Sequence, residues 1–327
     1  MKIDNLIEQQ EEQAESHSQF ARDVLNGLQS IPKQVPAQYF YDEQGSILFQ
    51  KITAHEDYYL TRAEYSILEK VNEELAASID TDIIDIIELG VGDGHKTQLV
   101  LEGFLKLQKE INLYPIDISA KAMAQLGETL GQHERLTIHG VIADYFAGLS
   151  HVREHSTNRQ LVLFLGSNIG NFNPLQSQRF LKKLRSILKP GDHLLIGFDL
   201  KKDIATLNRA YNDSAGYTRQ FNLNLLQRIN NELGGQFDLD QFEHYGAFNP
   251  RLGAMESFLI SKQRQSVYIA ALDSHFEFDK FEPVHLEYSF KYLEEEIEKL
   301  AEDTGFEVVQ HYLDDEERFV DSLWRVS

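Results

Sequence analysis

The sequence predicts an α/β fold: a Rossmann-like doubly wound sheet with an inserted α+β substrate lobe and an N-terminal helical segment. Three observations predict it. Short β-branched or apolar runs alternate with helix-length stretches over 82–200, the first run closes in glycines, and the alternation stops near 206 and resumes after 290. Strands separated by helices in this way build a parallel sheet through right-handed crossovers.

The elements follow in order. The first 30 residues, ending near Ser30-Ile31-Pro32, read as an exposed or amphipathic helical segment. An aromatic stretch with turn punctuation comes next, Tyr39-Phe40-Tyr41-Asp42 and then Gly45-Ser46-Ile47-Leu48-Phe49. Tyr65, Leu68 and Val71 fall at helical spacing and predict a helix over 61–74. Ile83-Ile84-Asp85-Ile86-Ile87 reads as a buried parallel strand feeding a turn. A helix over 98–108, a strand over 113–117, a helix from Ala120 and a strand over 136–141 continue the pattern. A very apolar strand over 161–165, a helix over 176–188, a Pro190-Gly191 turn and a strand over 193–200 complete five β units.

The pattern then breaks into a helix-rich, Asn-rich stretch over 211–233, with strands over 257–261, 267–271 and 284–288. A helix over 292–303 and strands over 306–310 and 322–326 suit a sheet finished by an antiparallel hairpin. The implied organisation is an N-terminal lid (1–74), a cofactor-binding core (75–205), an inserted substrate-binding lobe (206–290) and a C-terminal return to the core (291–327).

Composition restricts the partners. The 327 residues carry a formal net charge of −21, so the average surface repels nucleic acid and anionic membranes. No apolar run reaches the length of a membrane span, and the acidic, Gln-rich start lacks a signal or transit pattern. Without cysteine there is no disulfide, thiolate zinc site or cysteine nucleophile. Twelve histidines show no H-E-x-x-H or similar ligand spacing, so no metal is expected. A cytoplasmic monomer acting on a small molecule is the expectation.

The glycine turn after the first strand of the core is the leading functional motif. Glycines there let the backbone approach a ligand and turn into a helix N-terminus, where unpaired N–H groups point outward. A dinucleotide G-x-G-x-x-G from Gly90 needs glycine where His95 stands, and a P-loop needs glycine before Lys96, which is again His95. Glu88-Leu89-Gly90-Val91-Gly92-Asp93-Gly94 fits instead the looser E-x-G-x-G-x-G of methyltransferases that use S-adenosylmethionine. Asp117, ending the second strand, is placed to accept hydrogen bonds from ribose hydroxyls. Asp144, beside Tyr145 after the third, is placed to meet the adenine amino group.

Several motifs together resemble the histidine-specific Nα-methyltransferases that open ergothioneine biosynthesis, with a class I methyltransferase fold. They are Phe40-Tyr41-Asp42-Glu43-Gln44-Gly45-Ser46, Tyr58-Tyr59-Leu60-Thr61-Arg62-Ala63-Glu64, Glu88-Leu89-Gly90 through Lys96-Thr97, Gly166-Ser167-Asn168-Ile169-Gly170-Asn171, Ala210-Tyr211-Asn212-Asp213 and Glu287-Tyr288-Ser289. The resemblance implies S-adenosylmethionine on Gly90, Lys96, Asp117, Asp144 and Tyr145. It implies a substrate amino acid among Tyr41, Tyr58, Asn171, Tyr211, Glu287 and Ser289. Asn171 and Tyr211 would anchor it, and Glu287 with Ser289 would bind the imidazole.

The residue types suit that chemistry. The enzyme need only align a neutral amine lone pair with a methyl carried on sulfonium. Tyr58 is placed to accept a hydrogen bond from the amine or to position a water, and a phenol with no full charge tolerates a cationic product. The sequence also departs from the family pattern. Val91 and Asp93-Gly94-His95 replace small hydroxyl or other polar residues, and Asn168 stands where threonine is common. An ungapped alignment puts Ser257, not methionine, against the substrate ring, with Met255 two residues away. N-methylation of another amine, such as a tryptophan derivative, and a non-catalytic cofactor-binding protein are the alternatives.

Overall fold

The computed structural model describes the backbone of residues 1–6, 9–131 and 133–327, and their side chains except those of 9–17, 121, 125 and 128. The chain begins with β1 (Lys2–Asn5), α1 (Gln9–Gln29), β2 (Lys33–Gln34), α2 (Glu43–Ala54) and α3 (Tyr59–Ser78). The alternating region is β3 (Ile83–Leu89), α4 (His95–Lys106), β4 (Glu110–Asp117), α5 (Ala120–Thr129), β5 (Leu136–Ile142), α6 (Tyr145–His155), β6 (Arg159–Phe164), α7 (Pro174–Ile187) and β7 (His193–Asp199). Next come α8 (Ile204–Ala210), α9 (Tyr217–Leu233), β8 (Phe242–Asn249), β9 (Ala254–Ser261), β10 (Gln265–Ile269), β11 (Ser274–Phe278) and β12 (Pro283–Phe290). The chain closes with α10 (Glu294–Thr304), β13 (Phe306–Leu313) and β14 (Phe319–Val326).

Two compact units emerge. The first combines residues 1–8, 62–201 and 292–327, and the second 9–61 and 202–291. The expected boundary at 74/75 therefore falls inside α3, and the N-terminal segment from Gln9 groups with the inserted lobe rather than standing as a lid of its own.

The first unit is built on one sheet in the order β1-β5-β4-β3-β6-β7-β14-β13. β1 and β3 to β7 run parallel within it, and β14 lies antiparallel to β7 and β13, giving the expected terminal hairpin. Ile84 to Leu89 of β3 are all buried, as a central strand covered on both faces requires. From β3 the chain steps outward through β4 and β5, then to the other side through β6 and β7. That reversal creates a crevice at the carboxyl ends of the strands, where ligands bind in such sheets.

The start of the chain corrects one expectation. Lys2–Asn5 form a strand instead of helix, pairing in parallel with 139–142 of β5. An open sheet edge offers unpaired backbone groups, and this short segment satisfies them. The described helix runs from Gln9, and residues 7 and 8 of the expected helical segment lie outside the described residues.

The second unit holds a four-stranded sheet, β2-β12-β9-β8, and the hairpin β10-β11. Helix α9 packs on β8 and β9 and against α2. Its Phe221, Leu225 and Ile229 join Phe242, Leu259 and Phe278 in a core separate from that of the first unit. β8 and β11 were not expected from the sequence, although His275-Phe276-Glu277-Phe278 alternates as a half-buried strand should. Among the described residues no helix is long and apolar enough to cross a membrane.

Candidate active site

In the first unit the glycine loop is bent as its sequence demands. Gly90, Gly92 and Gly94 have φ of 84°, 50° and 79°, a region that side chains on Cβ disfavour. A Cβ on Gly92 would meet nothing within 4 Å, whereas one on Gly90 would stand 2.9 Å from the Tyr145 hydroxyl. The loop therefore leaves backbone open at Gly92 and carries Tyr145 over Gly90.

Two carboxylates fix this loop. Glu88 is buried at the end of β3 and accepts a hydrogen bond from the Thr97 hydroxyl at 2.5 Å, tying the strand to α4. Burial pushes Glu88 up to about 8, against the opposing influence of Thr97 and Lys96. Asp117, ending β4, accepts from the Ser119 N–H at 2.8 Å and from the Val91 N–H at 3.2 Å. Burial raises its pKa and these backbone donors lower it. Tyr145 is pushed to about 12 by burial and then by the charges of Asp117 and Glu88, so it stays a neutral phenol. The structure thus brings Gly90, Asp117 and Tyr145 together. Asp144 is exposed and caps α6, accepting from the N–H groups of Phe146 and Ala147 through one oxygen.

Lys96 takes a different position from the loop. Its ammonium pairs with buried Glu64, whose other oxygen accepts from the Gly166 N–H at 2.7 Å. Gly166 opens the Gly-Ser-x-Ile-Gly-Asn turn after β6, so the Glu64 carboxyl links α3, α4 and this turn. Asp321 is buried beside the pair, and burial followed by the Glu64 charge raises its pKa well above normal. Within the turn Asn168 donates to the Leu165 carbonyl at 2.8 Å, and Ser167 accepts from the Asp199 N–H at 3.0 Å. Asn171 is exposed at the end of the turn and belongs to the first unit.

The second unit gathers most of the residues expected to hold substrate. The Ala210-Tyr211-Asn212-Asp213 motif is a hub. Asp213 accepts from the N–H groups of Tyr217 and Thr218 at the start of α9, and Asn212 donates to the Gly246 carbonyl of β8. His244 holds the Tyr211 carbonyl at 2.9 Å and meets the Asn222 amide with its other nitrogen. Burial lowers the His244 pKa, with the Tyr211 contact opposing, which suits a neutral ring donating to that carbonyl. Asp57 accepts from the Ser214 N–H and hydroxyl, both at 2.9 Å, and so sets Tyr58 beside Tyr211, ring centroids 6.5 Å apart. Phe49 meets Tyr58 at 6.4 Å and Tyr41 at 5.3 Å, extending the aromatic series to the half-exposed Tyr41.

Tyr211 donates to the Ser289 hydroxyl at 2.6 Å. Lys291, almost fully buried, donates to Ser289 at 2.8 Å and to Tyr211 at 3.0 Å. Glu287 and Ser289 alternate along β12 and so leave it on one side, and Lys291, just past the strand's end, reaches that side through its bond to Ser289. Register places Ser257 opposite Glu287 and Met255 opposite Ser289, so both residues raised by the sequence alignment share that face. Burial pushes Glu287 up to about 7, with the Lys291 ammonium opposing. Sequence reasoning missed Lys291; the period-two spacing beyond Glu287-x-Ser289 was the signal that could have found it.

The family described as "Histidine-specific methyltransferase, SAM-dependent" matches residues 20–326. The chain belongs to this family. A histidine N-alpha-methyltransferase of Mycolicibacterium smegmatis is 38% identical over 84% of this chain and 85% of its own. Ergothioneine biosynthesis protein 1 of Neurospora crassa is 32% identical over 86% of this chain, which spans 32% of that longer protein. An L-tryptophan methyltransferase of Psilocybe serbica is 26% identical, with 90% of each chain covered. Among solved structures, mitomycin 7-O-methyltransferase MmcR is matched over 97% of this chain and 67% of its own, with 14% identity and a TM-score of 0.44.

As a member of the histidine-specific methyltransferases, the enzyme uses S-adenosylmethionine. Its first unit fits that cofactor. The open backbone at Gly92, the half-buried acceptor Asp117 and the neutral Tyr145 phenol provide a close approach, a partner for hydroxyls and an aromatic wall. When bound, the cofactor supplies a methyl group on a sulfonium.

Proposed function

We propose that this histidine-specific methyltransferase acts on the α-amine of L-histidine in successive rounds, ending at the trimethylated betaine. The supporting observation is the pairing, on one side of β12, of an acidic acceptor (Glu287) with a hydroxyl held by Tyr211 and Lys291 (Ser289). An imidazole needs one acceptor for its N–H and one donor for its other nitrogen. In this reading Glu287 and Ser289 take the ring, while Tyr211, Tyr58 and Asn171 hold the amino-acid end, with Tyr41 bordering the aromatic series. Gly90, Lys96, Asp117, Asp144 and Tyr145 serve the cofactor, Lys96 from its ion pair with Glu64.

The amine must be neutral before each transfer, and the first two products must each shed a proton before the next. Exclusion of water from the amine disfavours its charged form. Tyr58 carries the hydroxyl nearest in character to that task, accepting from the amine or ordering a water, and it places no full charge beside the cationic product. A cytoplasmic monomer suits the small substrate and the acidic surface.

The test is incubation of purified protein with S-adenosylmethionine and a panel of free amino acids, read by mass spectrometry. Mono-, di- and trimethylated histidine is the expected series. Methylation of tryptophan or another amine with histidine inert would overturn the substrate, and cofactor binding without turnover on any amine would overturn catalysis.

A further inference from the structure

The polarity of the Ser289 hydroxyl is set by its neighbours, and the neighbour that sets it is Lys291. Ser289, Tyr211 and Lys291 form a closed triangle with sides of 2.6, 2.8 and 3.0 Å. An ammonium has only donors, so Lys291 fills an acceptor site on each hydroxyl. The contact between the two hydroxyls consumes one hydroxyl proton. The more acidic phenol of Tyr211 supplies it, which leaves Ser289 accepting twice and its own proton as what it has to offer a ligand. The lysine also lies over the Tyr211 ring, 4.8 Å from its centroid, so its place is fixed by packing as well as by hydrogen bonds.

We infer that Lys291 is a positioning and specificity-determining residue that forces Ser289 to act as a hydrogen-bond donor, so that the second unit selects ligands whose ring carries an acceptor nitrogen. This rests on the reading of the Glu287–Ser289 face as the ring site. Without the lysine, Ser289 can turn its proton elsewhere and present a lone pair, and the face then accepts a ring N–H as readily as a ring nitrogen. With it, Glu287 accepts and Ser289 donates, a pattern that matches a neutral imidazole. Indole offers only its N–H, and phenyl offers neither. Lys291 touches no reacting atom in this scheme; it acts through Ser289 and Tyr211.

The experiment measures calorimetric binding to protein saturated with S-adenosylhomocysteine. The ligands are L-histidine, 4- and 5-thiazolylalanine (an acceptor nitrogen at one or the other imidazole position, no N–H) and thienylalanine (no ring nitrogen). For the wild type, one thiazolyl isomer is expected to bind about tenfold tighter than thienylalanine, the worth of one good hydrogen bond to a charge-supported donor. Lys291→Met should bring that ratio close to one and weaken histidine about tenfold or more, with S-adenosylhomocysteine affinity within about twofold. Lys291→Arg keeps the donors and should restore part of the ratio, which a packing role alone would not do.

A wild-type ratio near one overturns the inference, as does a folded Lys291→Met that keeps the wild-type ratio. If Lys291→Met does not fold, Ser289→Ala decides: a ratio unchanged by that substitution overturns the inference, and a collapsed ratio supports it. Failure of the functional reading looks different, because the wild type would then bind no histidine at all.

Discussion

The glycine loop after β3 and the Tyr211–Ser289–Lys291 triangle sit in different units and are specified in different ways. The loop is made by neighbours in sequence, three glycines with positive φ between Leu89 and His95, and its working surface is backbone. The triangle joins residues 78 and 80 positions apart, and its working surface is side-chain hydroxyls and an ammonium. A backbone cradle depends on its glycines more than on the side chains between them, Val91 and Asp93. A side-chain triangle tolerates little, since removing one corner reassigns the protons of the other two.

The sharpest way to break the loop is Gly90→Ala. A left-handed φ costs an L-residue about 1–2 kcal/mol, and the added methyl meets the Tyr145 hydroxyl. Cofactor affinity, measured by calorimetry, should fall roughly 100-fold. Wild-type affinity in this variant would show that the loop's shape is not what binds.

The two sites should separate under crossed substitutions. Glu287→Ala should raise the histidine KM roughly 10- to 100-fold, the range for losing a hydrogen bond to a charged group, and leave cofactor affinity nearly unchanged. Asp117→Ala should do the reverse, weakening the cofactor about tenfold. Equal losses of both ligands in either variant would mean that the residue roles are misplaced.

These outcomes bear on how much could be read before the structure. The parallel sheet and the terminal hairpin were legible because buried strands and amphipathic helices impose periods of two and 3.6 on the chain. The acidic ends of β3, β4 and β5 were legible because ligands of such sheets gather there. Residues 2–5 were not, since four residues are too few to show a period and their pairing is set by the distant edge of β5. The grouping of 9–61 with 202–291 was equally hidden, because it depends on contacts such as Asp42 with Asn224 that leave no local trace. Lys291 escaped for the opposite reason: it lies just beyond the end of β12, where a lysine ordinarily faces water.

A smaller effect should appear with pH. Burial holds the Glu287 carboxyl near 7, so it is largely protonated at pH 6 and largely ionised at pH 8. The ionised form accepts from a ring N–H more strongly than the protonated one, and the imidazole of histidine itself loses its proton near 6.5. Both changes run in one direction, so histidine affinity should rise about tenfold from pH 6 to pH 8. Glu287→Gln should flatten the part due to the carboxyl, leaving a curve set by the ligand alone. A wild-type curve superposable on that of Glu287→Gln would remove Glu287 from ring recognition.

The smallest expected effect concerns Ser257 and Met255, and it decides which of them meets the ring. Register puts Ser257 across from Glu287 and Met255 across from Ser289, on a shared face, and both are buried. A thioether packs well against an aromatic edge, and a serine hydroxyl adds little to such a contact. If Met255 covers the ring, Met255→Ala should weaken histidine about fivefold or more, while Ser257→Ala changes it by less than about threefold. Ser257→Met would then crowd a site already filled and should also weaken histidine. If instead Ser257→Met improves binding of histidine or of tryptophan, the space beside Glu287 is open, and the small residue there is what leaves room for a larger ring.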